Sequence, residues 1–397
     1  MGEYEDRERF IPLRRSEVVN LICEDGFFHE DEKKKFKEFA LLLQSILHFE
    51  FQNKIEKLKD LYYPFDPDPT TTSRKQYSAR ESENMGIQFG EKFSELLNNA
   101  NFDKLTDEDI DYAFKVDSPI AVKVDANTDD FKELLLFKRG EYTTTIEIPY
   151  FFSFLKKNIE LEVFSNLVLL IKFRADYEPT KTLTVEPPDP DKIYLKTFRN
   201  VPKADLEMLF PNSKVRMKLK DKLKVTIPTV IGLGLVGSKI FNVAGGGVST
   251  IVLGSVIIGL IGYIFKSYLS YKNAVLKYVT ALSQGLYFKS IDNNSGVFYH
   301  IVNEAEEEEG KEALLSYYFL LKSRKPAKDT DIDDEVEKWF ENKYNIKLDF
   351  EISDALSKLQ RLELAEKTEK GLWVAKDLDA SLRHLDYVWD NYFKYNV

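Results

Sequence analysis

The sequence predicts an α+β protein anchored in a membrane, and three observations carry that prediction. Apolar residues recur every three or four positions through the N-terminal region, the period of amphipathic helices. From Ile120 to Val201 the period falls to two, and Val, Ile, Phe and Thr dominate, as in strands. The chain then runs 41 residues, Val225 to Phe265, with one charge, Lys239, in a protein that is 31% charged. Five regions follow: a helical N-terminal region 1–118, a β-rich domain 119–211, a basic juxtamembrane segment 212–224, a transmembrane helical hairpin 225–271 and a C-terminal domain 272–397.

In the first region Ser16 can cap a short helix containing Val18, Val19, Leu21 and Ile22, which Gly26 would end. A long helix is expected from Glu30 to Tyr62, where Phe36, Phe39, Leu43, Ile46, Leu47, Ile55 and Leu58 form one stripe. Pro64, Pro67 and Pro69 stop it. A further helix is expected over Ser82 to Asn99, and Thr106, three residues before Asp109, opens a short acidic one.

The second region offers strands at Ala121–Val124, Glu133–Phe137, Thr143–Ile148, Ile159–Phe164, Leu167–Phe173 and Ile193–Phe198. Arg139-Gly140-Glu141 reads as a hairpin turn. The prolines between Tyr177 and Lys192 mark a loop leaving a small antiparallel sheet.

The apolar run is long enough for two membrane helices. At ~1.5 Å rise per residue, about 20 apolar residues cross ~30 Å of hydrocarbon. The spans are expected at 225–243 and 248–265, joined at Gly245-Gly246-Gly247. Ten large apolar side chains in the second favour insertion by roughly 3–6 kcal/mol. Gly234 with Ser238, and Ser255 with Gly259, stand at the intervals that let membrane helices pack. Lys214, Arg216, Lys218, Lys220, Lys222 and Lys224 precede the run, and Lys266, Lys272 and Lys277 follow it. Basic flanks on both sides put both termini in the cytoplasm, or in an equivalent organellar compartment. The six basic residues before the run are expected to contact anionic lipid head groups of the bilayer. A single cysteine, Cys23, excludes intramolecular disulfides and suits a reducing space. The acid-rich start lacks a signal-peptide core, and Asp6 stands where N-myristoylation would want Ser or Thr.

The last hundred residues read as helix, helix, helix, β-hairpin, helix, with the turn at Lys370-Gly371. That order resembles a winged helix. Its third helix carries Asp354, Lys358 and Arg361 within an acidic domain, which disfavours nucleic acid and favours an unknown protein partner. The net charge of −10, with Glu306 to Glu309 in one run, points the same way.

Several stretches together resemble the transmembrane protein 143-like family, defined by domain of unknown function 3754. They are RERFIPLRRSEVVNL at Arg7–Leu21, KLKDLYYPFDPD at Lys57–Asp68, DDFKELLLFKRGE at Asp129–Glu141, YLKTFRNVPKADLEMLFP at Tyr194–Pro211 and NEAEEEEGKEALLSYYFLL at Asn303–Leu321. The resemblance implies a membrane anchor of two spans and no established activity. Since this chain starts almost at the family core, a bacterial inner membrane is the simpler expectation, with an organellar membrane as the other.

The motifs name no reaction. GLGLVG at Gly232–Gly237 fits the dinucleotide pattern but lacks an acid about 20 residues on, so it reads as helix-packing glycine. DPDPT at Asp66–Thr70 matches the D-x-D-x-T pattern of magnesium-dependent phosphatases, where paired carboxylates hold a hard cation. Asp66 follows a long helix rather than a buried strand, which favours a helix stop. Asp331, Asp333 and Asp334 suit a helix N-terminus. The four histidines, His29, His48, His300 and His384, form no zinc motif. His300 and Glu304 share a helix face, and Tyr317 and Tyr318 belong to an apolar stripe. No cofactor and no metal are expected. The leading expectation is a membrane-tethered interaction or scaffolding protein. The alternatives are a metal-dependent hydrolase using Asp66 and Asp68, and an oligomeric channel or transporter component; a homo-oligomer stays open.

Overall fold

The computed structural model describes residues 7–115, 122–150, 155–178, 188–217 and 288–393, with scattered positions between 258 and 280. Three helices open it: α1 (Arg15–Glu24), α2 (Glu30–Tyr62) and α3 (Ala79–Asn99). Helix α1 ends before Gly26, whose φ of +87° reverses the chain. A capping box opens α2, with the His29 amide donating to Glu32 Oε2 at 2.8 Å. A second opens α3 three residues earlier than the sequence suggests, because Ser78 and Glu81 cap each other. The stripe on α2 is buried as its period predicts, with Phe36, Phe39, Ile46 and Leu47 fully enclosed. Each such side chain contributes roughly 1.5–3 kcal/mol.

The β region begins with β1 (Asp103–Lys104), followed by α4 (Asp107–Lys115). It continues with β2 (Val122–Asp125), β3 (Phe131–Tyr150), β4 (Leu155–Phe173), β5 (Tyr194–Pro202), β6 (Lys214–Met217) and β7 (Ser290–Asn293). Five strands form an antiparallel sheet in the order β1-β3-β4-β5-β7, while β2 and β6 pair separately. One face, with Val168, Leu170 and Leu195, packs on α2 and α3. The other, with Leu167, Leu169 and Ile171, packs under α4 and the 3-10 turn at Lys203–Leu209.

The expected hairpin turn at Arg139-Gly140-Glu141 is wrong. These residues lie inside β3, where Arg139 pairs with Asn166 and Glu141 with Phe164. Gly140 has φ +76° and Asn200 on β5 has φ +51°, and both lie beside Ser165 in the registers. Two left-handed residues thus flank one position of β4, and neither ends its strand. Two pairs of expected strands on either side are therefore two continuous strands, of 20 and 19 residues. Beyond Val163, where β5 leaves β4, eight more β3–β4 pairs run from Thr143↔Glu162 to Tyr150↔Leu155. At ~3.4 Å per residue this two-stranded arm reaches about 25 Å past the sheet.

The C-terminal part holds α5 (Ser295–Ser323), α6 (Asp329–Tyr344), α7 (Ile352–Arg361), β8 (Ala365–Lys367), β9 (Trp373–Ala375) and α8 (Leu378–Asp390). Ala327 exchanges two backbone hydrogen bonds with Trp373, an isolated bridge that ties the α5–α6 connection to the hairpin. This part and the N-terminal helices share one core, which joins Val18, Phe36 and Leu43 to Tyr317, Phe340 and Leu356.

The membrane-anchored fold class is corrected. Among the described residues no helix is long and apolar enough to cross a membrane. The expected span 225–243 lies outside the described residues, as does most of 248–265. Of the latter, 258, 259, 261, 262, 264 and 265 are described, as helix, with Ile258, Ile261 and Phe265 exposed. Hydropathy responds to an apolar run of any shape, whereas a span needs one continuous apolar helix of about 20 residues. The described helices of sufficient length, α2 with 33 residues, α3 with 21 and α5 with 29, carry charges along their length. The multi-pass location, in a bacterial inner or an organellar membrane with both termini cytoplasmic, loses its support with the spans.

Candidate functional site

Helix α5 is enclosed nearly all round from Ala305 to Leu320, glutamates included. Burying a carboxylate is costly unless charges and donors compensate it. Here each one draws a partner from a different part of the chain. Glu306 takes His48 Nδ1 from α2 at 2.7 Å. Glu307 holds α1 through Arg15, Nη2 at 3.0 Å and the backbone amide at 3.1 Å. Glu309 pairs with Lys358 of α7 at 3.1 Å. Glu312 accepts from Asn101 Nδ2 at 2.8 Å, and the same amide group donates to Arg9 O at 2.9 Å.

Glu308, whose side chain is 0% exposed, sits at the centre. It accepts from Arg139 Nη2 at 2.7 Å, Lys311 Nζ at 2.6 Å and the Ile11 amide at 3.1 Å. Lys311 also donates to Ile11 O at 2.6 Å and Leu13 O at 3.1 Å. Arg139 reaches Glu304 as well, and its guanidinium stacks on Phe10. His300 Nε2 lies 3.6 Å from Glu304, on the helix face that the sequence assigns to both. Burial pushes the Lys311 ammonium and the Arg139 guanidinium below their usual values. Burial likewise pushes the Glu312 carboxyl up to about 8. These ion pairs tie the N-terminal segment, α1, α2, β3 and α7 to one helix.

A second cluster closes the far end of α5. Asp25 accepts from Lys322 Nζ at 2.6 Å, Trp339 Nε1 at 2.7 Å, Tyr318 and Lys343. Burial alone would raise this carboxyl, but the four donors hold it well below its ordinary range. Tyr317 and Tyr318 are core residues, Tyr317 stacked on Phe39 with ring centroids 4.4 Å apart.

The sequence-predicted site residues are not brought together. Asp66 is buried and accepts from the Asp68 amide at 3.0 Å, while Asp68 accepts from Asn294 Nδ2 at 2.8 Å. Asn294 Oδ1 in turn receives the Leu195 amide at 3.3 Å. The pair thus fastens the end of α2 to β5 and the start of α5. Burial raises the Asp66 carboxyl, with the neighbouring Asp68 charge adding to it. Lys214 and Arg216 lie in β6, paired in register with Asp125 and Lys123. Lys218, Lys220, Lys222, Lys224, Gly234, Ser238 and Ser255 lie outside the described residues, and Gly259 is helical. Asp331 and Asp334 are exposed; burial and the charges of Glu337 and Asp349 push Asp333 up to about 7. Among the described residues no group of three or more His, Cys, Asp or Glu is placed to hold a metal ion.

A cavity of about 400 Å³ lies between the end of α7 and the β8–β9 hairpin, lined by Gln360, Glu363, Glu366, Val374 and Lys376. It brings no nucleophile next to a base. Arg361 of α7 forms a two-pronged pair with Glu50, at 2.5 and 2.8 Å, so both basic residues of that helix are engaged by carboxylates.

The described chain is thus an α+β protein whose five-stranded antiparallel sheet rests on a helical body. Residues 164–296 match the family described as Protein of unknown function (DUF3754). No solved structure matches the chain. The family match ends before Glu304, so the buried carboxylates of α5 lie outside it. Sequence reasoning missed Arg139 and Asp25, whose partners are remote along the chain, and the pair Glu308–Lys311, three residues apart, which reads locally as an ordinary surface pair on a helix.

Proposed function

We propose that this protein is an interaction or scaffolding protein: a rigid helical body that presents the β3–β4 arm to a protein partner. The observation that carries the reading is the continuation of β3–β4 pairing for eight residue pairs past the last β4–β5 pair. A two-stranded ribbon is marginal in water and leaves strand edges without a neighbour. Its root is nonetheless held firmly, with Lys203 Nζ bridging Glu141 at 2.7 Å and Glu162 at 2.9 Å. Engagement of Lys358 and Arg361 by Glu309 and Glu50 weighs against a nucleic-acid partner. The turn built by Asp66 and Asp68 weighs against the hydrolase alternative. The finer resemblance, to the transmembrane protein 143-like family with a bacterial source, belongs to this reading and rests on the segments quoted above.

The test is crosslinking in native cells, comparing the intact chain with one whose arm is shortened by joining Thr143 to Glu162 through Asn-Gly. Loss of specific crosslinked partners, at unchanged thermal stability, is the expected result. An identical crosslinking pattern would overturn the reading. Magnesium-dependent phosphatase activity abolished by Asp66→Asn, with the fold intact, would favour the hydrolase instead.

A further inference from the structure

We infer that the turn 125–130, closed by Asn212, is a divalent-cation site of the calcium class. It involves no residue of the arm and goes beyond the interaction reading above. Asp125-Ala126-Asn127-Thr128-Asp129 sets oxygen-bearing side chains at the first, third and fifth positions, the spacing with which calcium loops begin. Asp130 stands sixth, where an EF-hand has glycine, and Leu136 stands twelfth, where it has glutamate. The turn alone therefore falls short of the roughly six to eight oxygens that calcium takes, and a further ligand has to come from elsewhere in the chain.

The fold brings one. Strand β2 ends at Asp125, a 3-10 turn follows at Thr128–Asp130, and β3 starts at Phe131. The Asp129 amide donates to Asn127 Oδ1 at 3.3 Å, and Asn127 Nδ2 donates to Asp130 Oδ1 at 2.8 Å. Asn212, just before β6, is 8% exposed and points its carboxamide into this turn. Its Nδ2 donates to Asn127 O at 2.6 Å and to Asp130 Oδ2 at 2.8 Å. Its Oδ1 is buried, and no donor among the described residues reaches it. A structural tether does not account for that oxygen, because a buried acceptor without a donor is costly. Rotated by half a turn, the same carboxamide sets Oδ1 beside Asn127 O and Asp130 Oδ2, three oxygens within reach of one hard cation. The guanidinium of Arg174, which follows β4 nearby, is turned to Asp176 at 3.0 and 3.3 Å and leaves the turn's carboxylates to other partners. With Asp129 and Asp130 as its described carboxylates, the site holds fewer than three acidic groups and depends on carboxamide and backbone oxygens; the Asp125 side chain lies outside the described residues.

Terbium luminescence of the full chain, stripped with EGTA beforehand, tests the proposal. Tyr177 lies close enough to Asp130 to feel its charge and serves as the sensitiser. Terbium should bind saturably, and calcium titrated against it should displace it at micromolar to millimolar concentration, more readily than magnesium does. Asp129→Asn should weaken calcium binding about tenfold or more, since affinity follows the charge of the ligands. Asn212→Ala can loosen the fold, so Asn212→Asp is the deciding variant. A carboxylate there should tighten calcium binding about tenfold, and should lower the melting temperature when calcium is withheld, because it faces Asp130. A tether with no ligand role would lose thermal stability at every calcium concentration and leave the affinity where it was. The proposal is overturned by the lack of saturable terbium binding, by preferential displacement with magnesium, or by calcium affinity unchanged in Asp129→Asn or Asn212→Asp. None of these readouts involves a protein partner, so the interaction reading stands or falls by its own crosslinking test.

Discussion

Arg139 and Glu308 meet at 2.7 Å between sheet and central helix, with the carboxylate side chain sealed from solvent. Lys311 shares the same oxygen at 2.6 Å. Removing one member of such a group leaves its partners charged and buried, which is worse than never having buried them.

Glu308→Ala should therefore destabilise the protein by about 3–5 kcal/mol. Glu308→Gln, which keeps an acceptor but not the charge, should fall between that variant and the wild type. Urea unfolding checks both. A loss below about 1 kcal/mol for Glu308→Ala would mean that water reaches the site.

Glu312 sets a pH dependence of the opposite sense to most carboxylates. Its folded value is raised to about 8 from an ordinary 4.5. Between those values the folded state holds a proton that the unfolded state has lost, so stability falls as pH rises. Glu312→Gln should flatten the dependence across this window and gain stability at its alkaline end. Urea midpoints at a series of pH values decide it; parallel profiles for variant and wild type would refute the assignment.

Asp25 works in the reverse direction. Its carboxyl is depressed in the fold, so the stability it contributes is present above its ordinary 3.8 and fades as pH falls toward the lower folded value. Asp25→Asn should cost roughly 1.5–3 kcal/mol at neutral pH, in the range of hydrogen bonds to a charged group. The gap from the wild type should narrow in acid. A gap that stays constant from neutral pH down to acid would contradict the role given to Lys322 and Lys343.

Two glycine substitutions should have opposite signs. A Cβ on Gly140 would stand 2.9 Å from Phe10 Cε1 and 3.0 Å from Ser165 Oγ, at φ +76°. Gly140→Ala should cost about 1–3 kcal/mol. Gly90, in α3, has nothing within 4 Å of the added carbon, and Gly90→Ala should gain roughly 0.5–1 kcal/mol. Thermal melts of the pair suffice, and equal shifts would disprove the strain argument.

These residues show what could be read from the chain and what could not. Helix α2 was legible because its stripe persists from Phe36 to Leu58 and Pro64 follows at once. Gly140 misled because a glycine between charged residues is locally the same whether it turns a hairpin or sits left-handed inside a strand. What decides it is the pairing of Arg139 and Glu141 with Asn166 and Phe164 of β4, more than twenty residues on. In the sequence the run Glu306 to Glu309 counts only toward the acidity of the C-terminal region. Four consecutive helical residues cover nearly the whole circumference, so at least one had to point inward. That signal was present; the identities of Arg139, Arg15 and Lys358 as partners were not, since each arrives from a different element. The apolar run misled in another way, because composition reports a tendency to leave water and not the shape in which the chain does so.

The span of those ion pairs bears on how the protein is made. Ile11 binds a carboxylate 297 positions downstream, and Arg7 binds one 330 positions downstream. During synthesis the opening helices leave the ribosome long before the helix they rest on exists. Their apolar faces must wait, open to chaperones or to misassociation, until nearly the last hundred residues have been translated.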